Sequence, residues 1–239
     1  MTTTSRTRAT VPPSPRRGPA GLQVLGEVLL TLGVLLLLFC VYEVYGTNLV
    51  TAREQRELAQ DLTETWAAPA APTAPDRPQA REPPLGRAFA RLYLPRLDGS
   101  DPLVVVQGVS VPDLKKGPGH LPGSALPGEL GNLVVSGHRT TYGAPFSDLD
   151  RLRDGDAIVV ETRDSWFTYR VTGTQIVLPS AIEVTYPVPG RQGAAPTSRL
   201  VTLTTCNPKF SARERLIVRG QLEARRPTSD GRPPALAEA

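Results

Sequence analysis

The feature that most restricts the possible folds of this chain is one long apolar run near its N-terminus. Residues 24–42 read VLGEVLLTLGVLLLLFCVY, interrupted only by Glu27. A helix needs about 20 consecutive apolar residues to span a bilayer, and this run reaches that length. We therefore expect a transmembrane helix at residues 22–45, with the folded domain after it.

The charges on either side of this run predict its orientation. Four arginines precede Glu27 without any acidic residue, whereas the segment after residue 45 mixes both signs. The positive-inside rule then keeps the basic tail of residues 1–21 in the cytoplasm and places the rest of the chain outside the cell.

The apolar run has two other interpretations. A cleavable signal peptide needs small residues directly after the apolar core, but CVYEVYGT follows here, so an uncleaved anchor is favoured and the signal peptide stays the alternative. Cys40 resembles the cysteine of a lipoprotein cleavage site, yet bulky Phe39 precedes it where a small residue is needed. We interpret Cys40 as a small apolar residue of the helix.

Residues 46–85 and 224–239 have the composition of connecting segments. Residues 49–65, LVTAREQRELAQDLTET, predict a short juxtamembrane helix. The prolines of WAAPAAPTAPDRPQAREPP, which follows, favour an extended spacer, so we expect a semi-rigid tether that holds the domain off the membrane. Residues 224–239 are predicted to be a disordered tail.

Residues 86–223 carry the signals of a β domain. Short β-rich runs such as LVVVQGV, GNLVVSGH, DAIVVET and LVTLTTC are separated by Pro, Gly, Asp or Ser. One stretch, PFSDLDRLRDGD, is typical of a helix. Because the strands are many and no strand–helix alternation appears, we predict an all-β closed barrel of about eight strands with one or two short helices.

The composition argues against two classes of function. The net charge of +4 is spread along the chain, and no block of Lys and Arg interleaves with aromatic residues, so a nucleic-acid surface is not supported. No group of carboxylates suggests a metal site, and we expect neither metal nor cofactor.

Three residues at strand ends form a candidate catalytic group. In LVTLTTC, alternation places Thr202, Thr204 and Cys206 on one, more polar, face. Cys206 has no plausible disulfide partner, because Cys40 lies in the predicted membrane helix. A buried, inert cysteine is the ordinary alternative.

His138 ends the run NLVVSGH, and Arg215 opens RLIV. A cysteine nucleophile needs thiolate character, a proton donor for the leaving group and a nearby cation, and these three residues supply such a set if they converge at one mouth of the barrel. His120, in a Gly/Pro loop, is interpreted as structural, and an ordinary exposed arginine is the alternative for Arg215.

The motifs around these residues resemble one family. TLTTCNPKFSARERLIV is similar to the cysteine and arginine signature of sortases, and VVSGHRTTYGAPFSDLDRL resembles the segment that carries the sortase histidine. KKGPGHLPGSALPGELGN is similar to the loop before that histidine in class E sortases of high-GC Gram-positive bacteria. The resemblance covers roughly residues 86–222, and its motifs occur in the family's order.

The resemblance implies a membrane-anchored cysteine transpeptidase with the closed sortase barrel. Cys206 would attack the Thr carbonyl of a C-terminal sorting signal, Leu-Ala-x-Thr-Gly or Leu-Pro-x-Thr-Gly, to form a thioester. His138 would give a proton to the departing amine, and Arg215 would hold the oxyanion or the substrate backbone. Thr204, Thr205 and Tyr142 are candidates for substrate contacts.

The implied partners are surface proteins that carry the signal, a peptidoglycan amine of the cell wall, and the membrane. Three alternatives stay open at this point. A pilin-polymerising enzyme would use a Lys side chain as acceptor, a hydrolase would use water, and a tethered β-module would bind such peptides without cleaving them.

Overall fold

The computed structural model describes residues 20–42, 46–68, 82–98 and 102–237. The chain divides after Tyr42 into two compact units. In the first, helix α1 spans Ala20–Val41. Its 22 residues extend about 33 Å at 1.5 Å per residue, and it is long and apolar enough to cross a bilayer. The sequence predicted this helix, although residues 43–45 of the predicted span lie outside the described residues.

The second unit is a closed barrel of eight strands, as predicted, with one long helix before it and short helices between some strands. The strands are β1 (Ala88–Tyr93), β2 (Leu103–Gln107), β3 (Gly119–His120), β4 (Gly131–Ser136), β5 (Ala157–Glu161), β6 (Ser165–Val177), β7 (Arg199–Asn207) and β8 (Glu214–Pro227). The helices are α2 (Thr47–Ala67), α3 (Pro95–Asp98) and α4 (Val111–Lys116). The stretch PFSDLDRLRDGD forms only a 3₁₀ turn at Leu149–Arg151, not the predicted helix.

The strands follow the order β1-β2-β3-β4-β7-β8-β6-β5 around the barrel. The pairs β2–β3 and β4–β7 are parallel, and the other pairs are antiparallel. This order places β4, β7 and β8 side by side, although more than sixty residues separate the end of β4 from the start of β7. The three strands that carry the candidate catalytic residues are therefore neighbours.

Alternating side chains of the strands fill the barrel. Large apolar residues from most strands form one core and are almost fully buried, among them Leu92, Leu133, Ile158, Tyr169 and Leu203. Burial of each such side chain contributes about 1.5–3 kcal/mol. The intervening residues of each strand point away from this core, and Thr204, Cys206 and Arg215 are among those that stay partly exposed.

Helix α2 packs against the barrel. Leu62 of α2 is only 3% exposed, and Arg91 of β1 donates to Thr63 Oγ1 while its guanidinium lies 4.8 Å from the ring centre of Trp66. Residues 49–65, predicted as a separate juxtamembrane helix, thus belong to the same compact unit as the barrel. The Pro/Ala-rich segment joins α2 to β1 rather than separating α2 from the domain, and its residues 69–81 lie outside the described residues.

The predicted disordered tail is wrong for residues 224–237. Strand β8 continues to Pro227 and pairs there with Ser165 of β6. Beyond it, Ala235 is 5% exposed and packs in a second small cluster with Tyr93 and Trp166. The prediction failed because the segment is mostly polar, and only a few apolar residues pack it against the outside of the barrel.

Candidate active site

Cys206 and Arg215 face each other across the β7–β8 hairpin. The register of the two strands pairs them directly, near the end of β7 and the start of β8. Leu203 of β7 and Leu216 of β8 point into the core, so alternation turns both Cys206 and Arg215 to the outer face. Cys206 is a free thiol that is partly exposed.

His138 follows the end of the neighbouring strand, β4, by two residues. Strand β4 runs parallel to β7 with Ser136 opposite Thr204. The pairing continues past the strand, since the Gly137 N–H donates to the Thr204 carbonyl at 3.1 Å. Extending this register by two residues places His138 next to Cys206. Cys206 and Arg215 therefore lie on β7 and β8, and His138 follows the end of β4, at the same edge of the barrel.

The residue before His138 must be small. A Cβ on Gly137 would lie 2.7 Å from the ring of Phe146, which is fully buried. The Phe146 N–H donates to the His138 carbonyl at 3.1 Å, so the loop after β4 closes around this ring. The sequence Gly-His thus lets the chain turn tightly over Phe146 and fixes the backbone of His138.

The imidazole of His138 has an unusual environment. Its Nε2 is buried and, within the described residues, has no hydrogen-bond partner. The ring lies 5.0 Å from that of Tyr142, whose other neighbour is the Lys115 ammonium at 5.3 Å. Burial, and secondarily the charge of Lys115, lower the pKa of His138. A neutral imidazole with an unpaired nitrogen is suited to exchange a proton with a group that enters the site.

Tyr142 reaches His138 through a strained turn. Tyr142, Gly143 and Ala144 have successive φ values of +52°, +75° and +42°. This left-handed conformation costs about 1–3 kcal/mol for a residue other than glycine. The sequence proposed Tyr142 as a substrate contact. In the structure its ring lies beside the ring of His138, a contact that the sequence did not predict.

The Arg215 guanidinium is anchored by backbone carbonyls. Its Nη1 donates to the carbonyls of Ala212 at 3.0 Å and Glu214 at 2.9 Å. Among the described residues, no carboxylate lies within ion-pair distance of it. A cation that is held in place but not neutralised, opposite a thiol, favours negative charge on sulfur or on a bound oxygen.

The two predicted threonines differ in position. Thr204 lies two residues before Cys206, on the same outward face, and is partly exposed. Thr205 is 3% exposed, and its hydroxyl donates to the Gly137 carbonyl at 2.8 Å. The substrate contacts stay a prediction, and Thr204 is the better placed of the two, because strand alternation turns Thr205 inward, where it ties β7 to the loop of His138.

Arg139 is a residue of the site that the sequence did not single out. It is 6% exposed, and its Nη1 donates to the Cys206 carbonyl at 3.2 Å and to Asn207 Oδ1 at 2.6 Å. Its Nη2 pairs with Asp150 at 3.1 Å. Arginine is usually exposed, so nothing in the sequence but its place after His138 could have drawn attention to it.

His120 lies elsewhere, inside the barrel wall. It is fully buried, its Nδ1 lies 2.7 Å from Gln107 Oε1, and its Nε2 lies 2.8 Å from Ser124 Oγ and 3.1 Å from the Ala125 carbonyl. Burial lowers its pKa. Both nitrogens have partners, as expected for a structural histidine.

Comparison with known proteins agrees with this geometry. A family model described as "Sortase domain" matches residues 92–223. Sortase SrtE1 of Streptomyces coelicolor is 36% identical over 222 residues, which cover 90% of this chain and 60% of that protein. Sortase SrtE2 of the same organism is 34% identical over 210 residues, 83% of this chain and 81% of that protein. The chain thus spans about three fifths of the length of SrtE1.

Solved structures show the same likeness. Sortase E from Streptomyces avermitilis has 42% sequence identity and a TM-score of 0.58, and the match covers 64% of this chain and 99% of that one. The SrtF sortase from Corynebacterium diphtheriae has 35% identity and a TM-score of 0.64, over 67% and 97% of the two chains. The residues matched by the family model include His138, Cys206 and Arg215. The chain belongs to the sortase family.

Proposed function

We propose that this protein is a membrane-anchored cysteine transpeptidase. It cleaves a Leu-Ala-x-Thr-Gly or Leu-Pro-x-Thr-Gly signal between Thr and Gly and transfers the protein to an amine of cell-wall peptidoglycan. The observation that supports the proposal is the direct cross-strand pairing of Cys206 with Arg215, beside the end of β4, which His138 follows with an Nε2 that has no partner among the described residues.

The first step forms the thioester. The lowered pKa of His138 keeps its imidazole neutral at neutral pH. His138 Nε2 takes the proton of the Cys206 thiol as sulfur attacks the Thr carbonyl. Arg215, opposite Cys206, stabilises the oxyanion. As the Thr–Gly bond breaks, His138 returns the proton to the departing Gly amine.

The second step transfers the acyl group. An incoming amine attacks the thioester, His138 accepts the proton that this amine loses, and the Cys206 thiolate leaves and regains a proton. Water in place of the amine gives hydrolysis. An acceptor that enters the site meets a partly exposed thiol and an imidazole whose Nε2 is buried, so the access of water sets the ratio of transfer to hydrolysis.

The anchor supports an extracellular site. Helix α1 is long and apolar enough to cross the membrane. The arginines before it and the mixed charges after it favour a cytoplasmic N-terminus and an external barrel. Both proposed substrates, a secreted protein held in the membrane and a wall precursor, are accessible on that side.

The experiment uses the full chain in detergent micelles with Leu-Ala-x-Thr-Gly and Leu-Pro-x-Thr-Gly peptides and an amine, followed by mass spectrometry. We expect cleavage after Thr with transfer to the amine, lost in Cys206→Ala. The matched control is Cys40→Ala, which removes the other thiol and keeps the activity. Peptides that bind but stay intact across the neutral pH range would refute catalysis and favour a binding module.

A further inference from the structure

Helix α2 presents a polar face to the barrel. Asn48, Thr51 and Gln55 are spaced by three and four residues and so lie on one side of the helix. Thr51 is 3% exposed. Surface helices usually pack against a domain through an apolar stripe. This part of α2 instead contacts the barrel through side-chain hydrogen bonds.

Two of these side chains bind the surroundings of His138. Asn48 Oδ1 accepts the N–H of Gly143 at 2.8 Å, in the middle of the strained turn that starts at Tyr142. Thr51 donates to the carbonyl of Lys115 at 3.0 Å. Tyr142 and Lys115 are the two residues stacked outward from His138. One face of α2 therefore holds the backbones of both.

Gln55 completes an edge of the barrel. Strand β3 pairs with β2 at Val106 and Gln107. At Val104 of the same strand, the N–H donates to Gln55 Oε1 at 2.8 Å and the carbonyl accepts from Gln55 Nε2 at 3.1 Å. The same Nε2 donates to the Lys116 carbonyl at 2.7 Å, at the end of α4. The side-chain amide thus acts as a further pairing partner for β2 and ties α4 to it.

Glycines lie where α2 approaches most closely. A Cβ on Gly143 would lie 3.2 Å from Thr51 Cγ2, and a Cβ on Gly117 would overlap the Gln55 amide. Gly143 also has a φ of +75°, where a side chain is strained. The sequence therefore leaves room for the helix at the points where its polar face meets α4 and the loop of His138.

We propose that α2 is a positioning element of the active site, whose residues Asn48, Thr51 and Gln55 hold α4 and the turn at Tyr142–Ala144 so that Tyr142 covers His138. The inference rests on the proposed function, in which His138 moves protons. The charged or titratable groups around the imidazole are Lys115 on α4, Arg139 and Tyr142 on its own loop, Cys206 and Arg215.

Loss of the hydrogen bond from Asn48 should raise the pKa of His138. Without the bond from Asn48, the left-handed turn relaxes and Tyr142 leaves the imidazole. Water then reaches His138, and the desolvation that lowers its pKa is reduced. The pKa of His138 therefore rises, and proton transfer slows because the ring is no longer fixed.

The test compares Asn48→Ala, Asn48→Asp and Gln60→Ala in the full chain in micelles. The Asp variant keeps an acceptor oxygen for Gly143, and Gln60 is an exposed residue of α2 outside this face. The chain has two histidines, so NMR titration of labelled histidine, assigned with His120→Gln, follows His138 directly. Peptide transfer gives kcat and KM separately.

We expect Asn48→Ala to raise the pKa of His138 and to lower kcat about tenfold, the factor that corresponds to one lost hydrogen bond, with little change in KM. Asn48→Asp restores kcat, although its added carboxylate itself raises the pKa of His138, and Gln60→Ala changes neither quantity. An unchanged histidine titration in Asn48→Ala overturns the inference, even if the melting temperature falls. A shifted titration in a protein whose wild type transfers no peptide supports the positioning role and refutes the proposed function.

Discussion

The guanidinium of Arg139 donates a hydrogen bond to the carbonyl oxygen of Cys206 at 3.2 Å. Arg139 directly follows His138, so one residue joins the backbone of the histidine loop to the backbone of the cysteine strand. The same guanidinium binds Asn207 Oδ1 and the carboxylate of Asp150. The spacing between His138 and Cys206 therefore depends on a buried charge that does not itself enter the reaction.

Replacement of Arg139 by Met should weaken both the fold and the reaction. The change leaves the acceptors on Cys206 and Asn207 without a charged donor, so we expect the free energy of unfolding to fall by about 3 kcal/mol. It should also lower kcat at least tenfold, since small displacements of reacting groups are costly. Denaturant melts and peptide-transfer kinetics measure the two effects.

The control for Arg139 is Arg151→Met. Arg151 is 60% exposed, and its Nη1 lies 3.8 Å from Asp148. An exposed pair of this kind contributes little, so we expect a change within about 0.5 kcal/mol. Equal stability of the Arg139 and Arg151 variants would show that the buried contacts do not bind the two loops together.

Gly137→Ala should be destabilising through a direct clash. The added methyl would lie 2.7 Å from the buried Phe146 ring, and overpacking of this kind costs about 1–3 kcal/mol. Gly173→Ala in β6 is the matched control, because a Cβ there meets nothing within 4 Å. Thermal melts of both variants check this. A Gly137 variant as stable as the Gly173 variant would mean that the loop of His138 is not packed as described.

The sequence predicts much of the site because strand alternation is local. The runs before His138 and Cys206 each reveal which residues share a face, and Arg215 opens the next run. The barrel follows from the number of strands and the scarcity of helices. The inward position of Thr205 also follows from alternation, and its assignment as a substrate contact went against that pattern.

Other contacts could not be predicted because they join residues far apart in the sequence. Asn48 and Gly143 are 95 residues apart, and Arg139 and Cys206 are 67 apart. Such pairs depend on the strand order around the barrel and on where α2 packs, neither of which is encoded in periodicity. The burial of Ala235 could not be predicted for the same reason. A single alanine in a polar segment does not indicate which distant residues it packs against.

Stability should fall as the pH is lowered below neutrality. Burial lowers the pKa of both His138 and His120 relative to the usual value near 6.5. Between the lowered folded pKa and 6.5 the unfolded chain binds more protons, so the free energy of unfolding rises with pH in this window and is highest above 6.5. Below the folded pKa values the loss of stability is complete.

Urea melts at pH 7.5 and at points down to pH 5 measure this dependence. His138→Gln removes the contribution of one group, so its stability should vary less with pH than that of the wild type. His120→Gln tests the other histidine. A wild type whose stability is constant over this range would contradict the burial that lowers both pKa values.

Arg215→Ala should reduce catalysis far more than stability. The guanidinium lies opposite Cys206 on the paired strand, and loss of a group that stabilises an oxyanion costs about 10²–10³ in kcat. Arg215→Lys keeps the charge but not the planar set of donors that binds the Ala212 and Glu214 carbonyls, so we expect partial activity. Arg213→Ala, which changes an exposed arginine of the same loop, is the control and should transfer peptide at the wild-type rate.

Single-turnover measurement of thioester formation by mass spectrometry separates the first step from the second. If Arg215→Ala forms the thioester as fast as Arg213→Ala, then Arg215 serves the hairpin and not the oxyanion, and another donor must hold the developing charge.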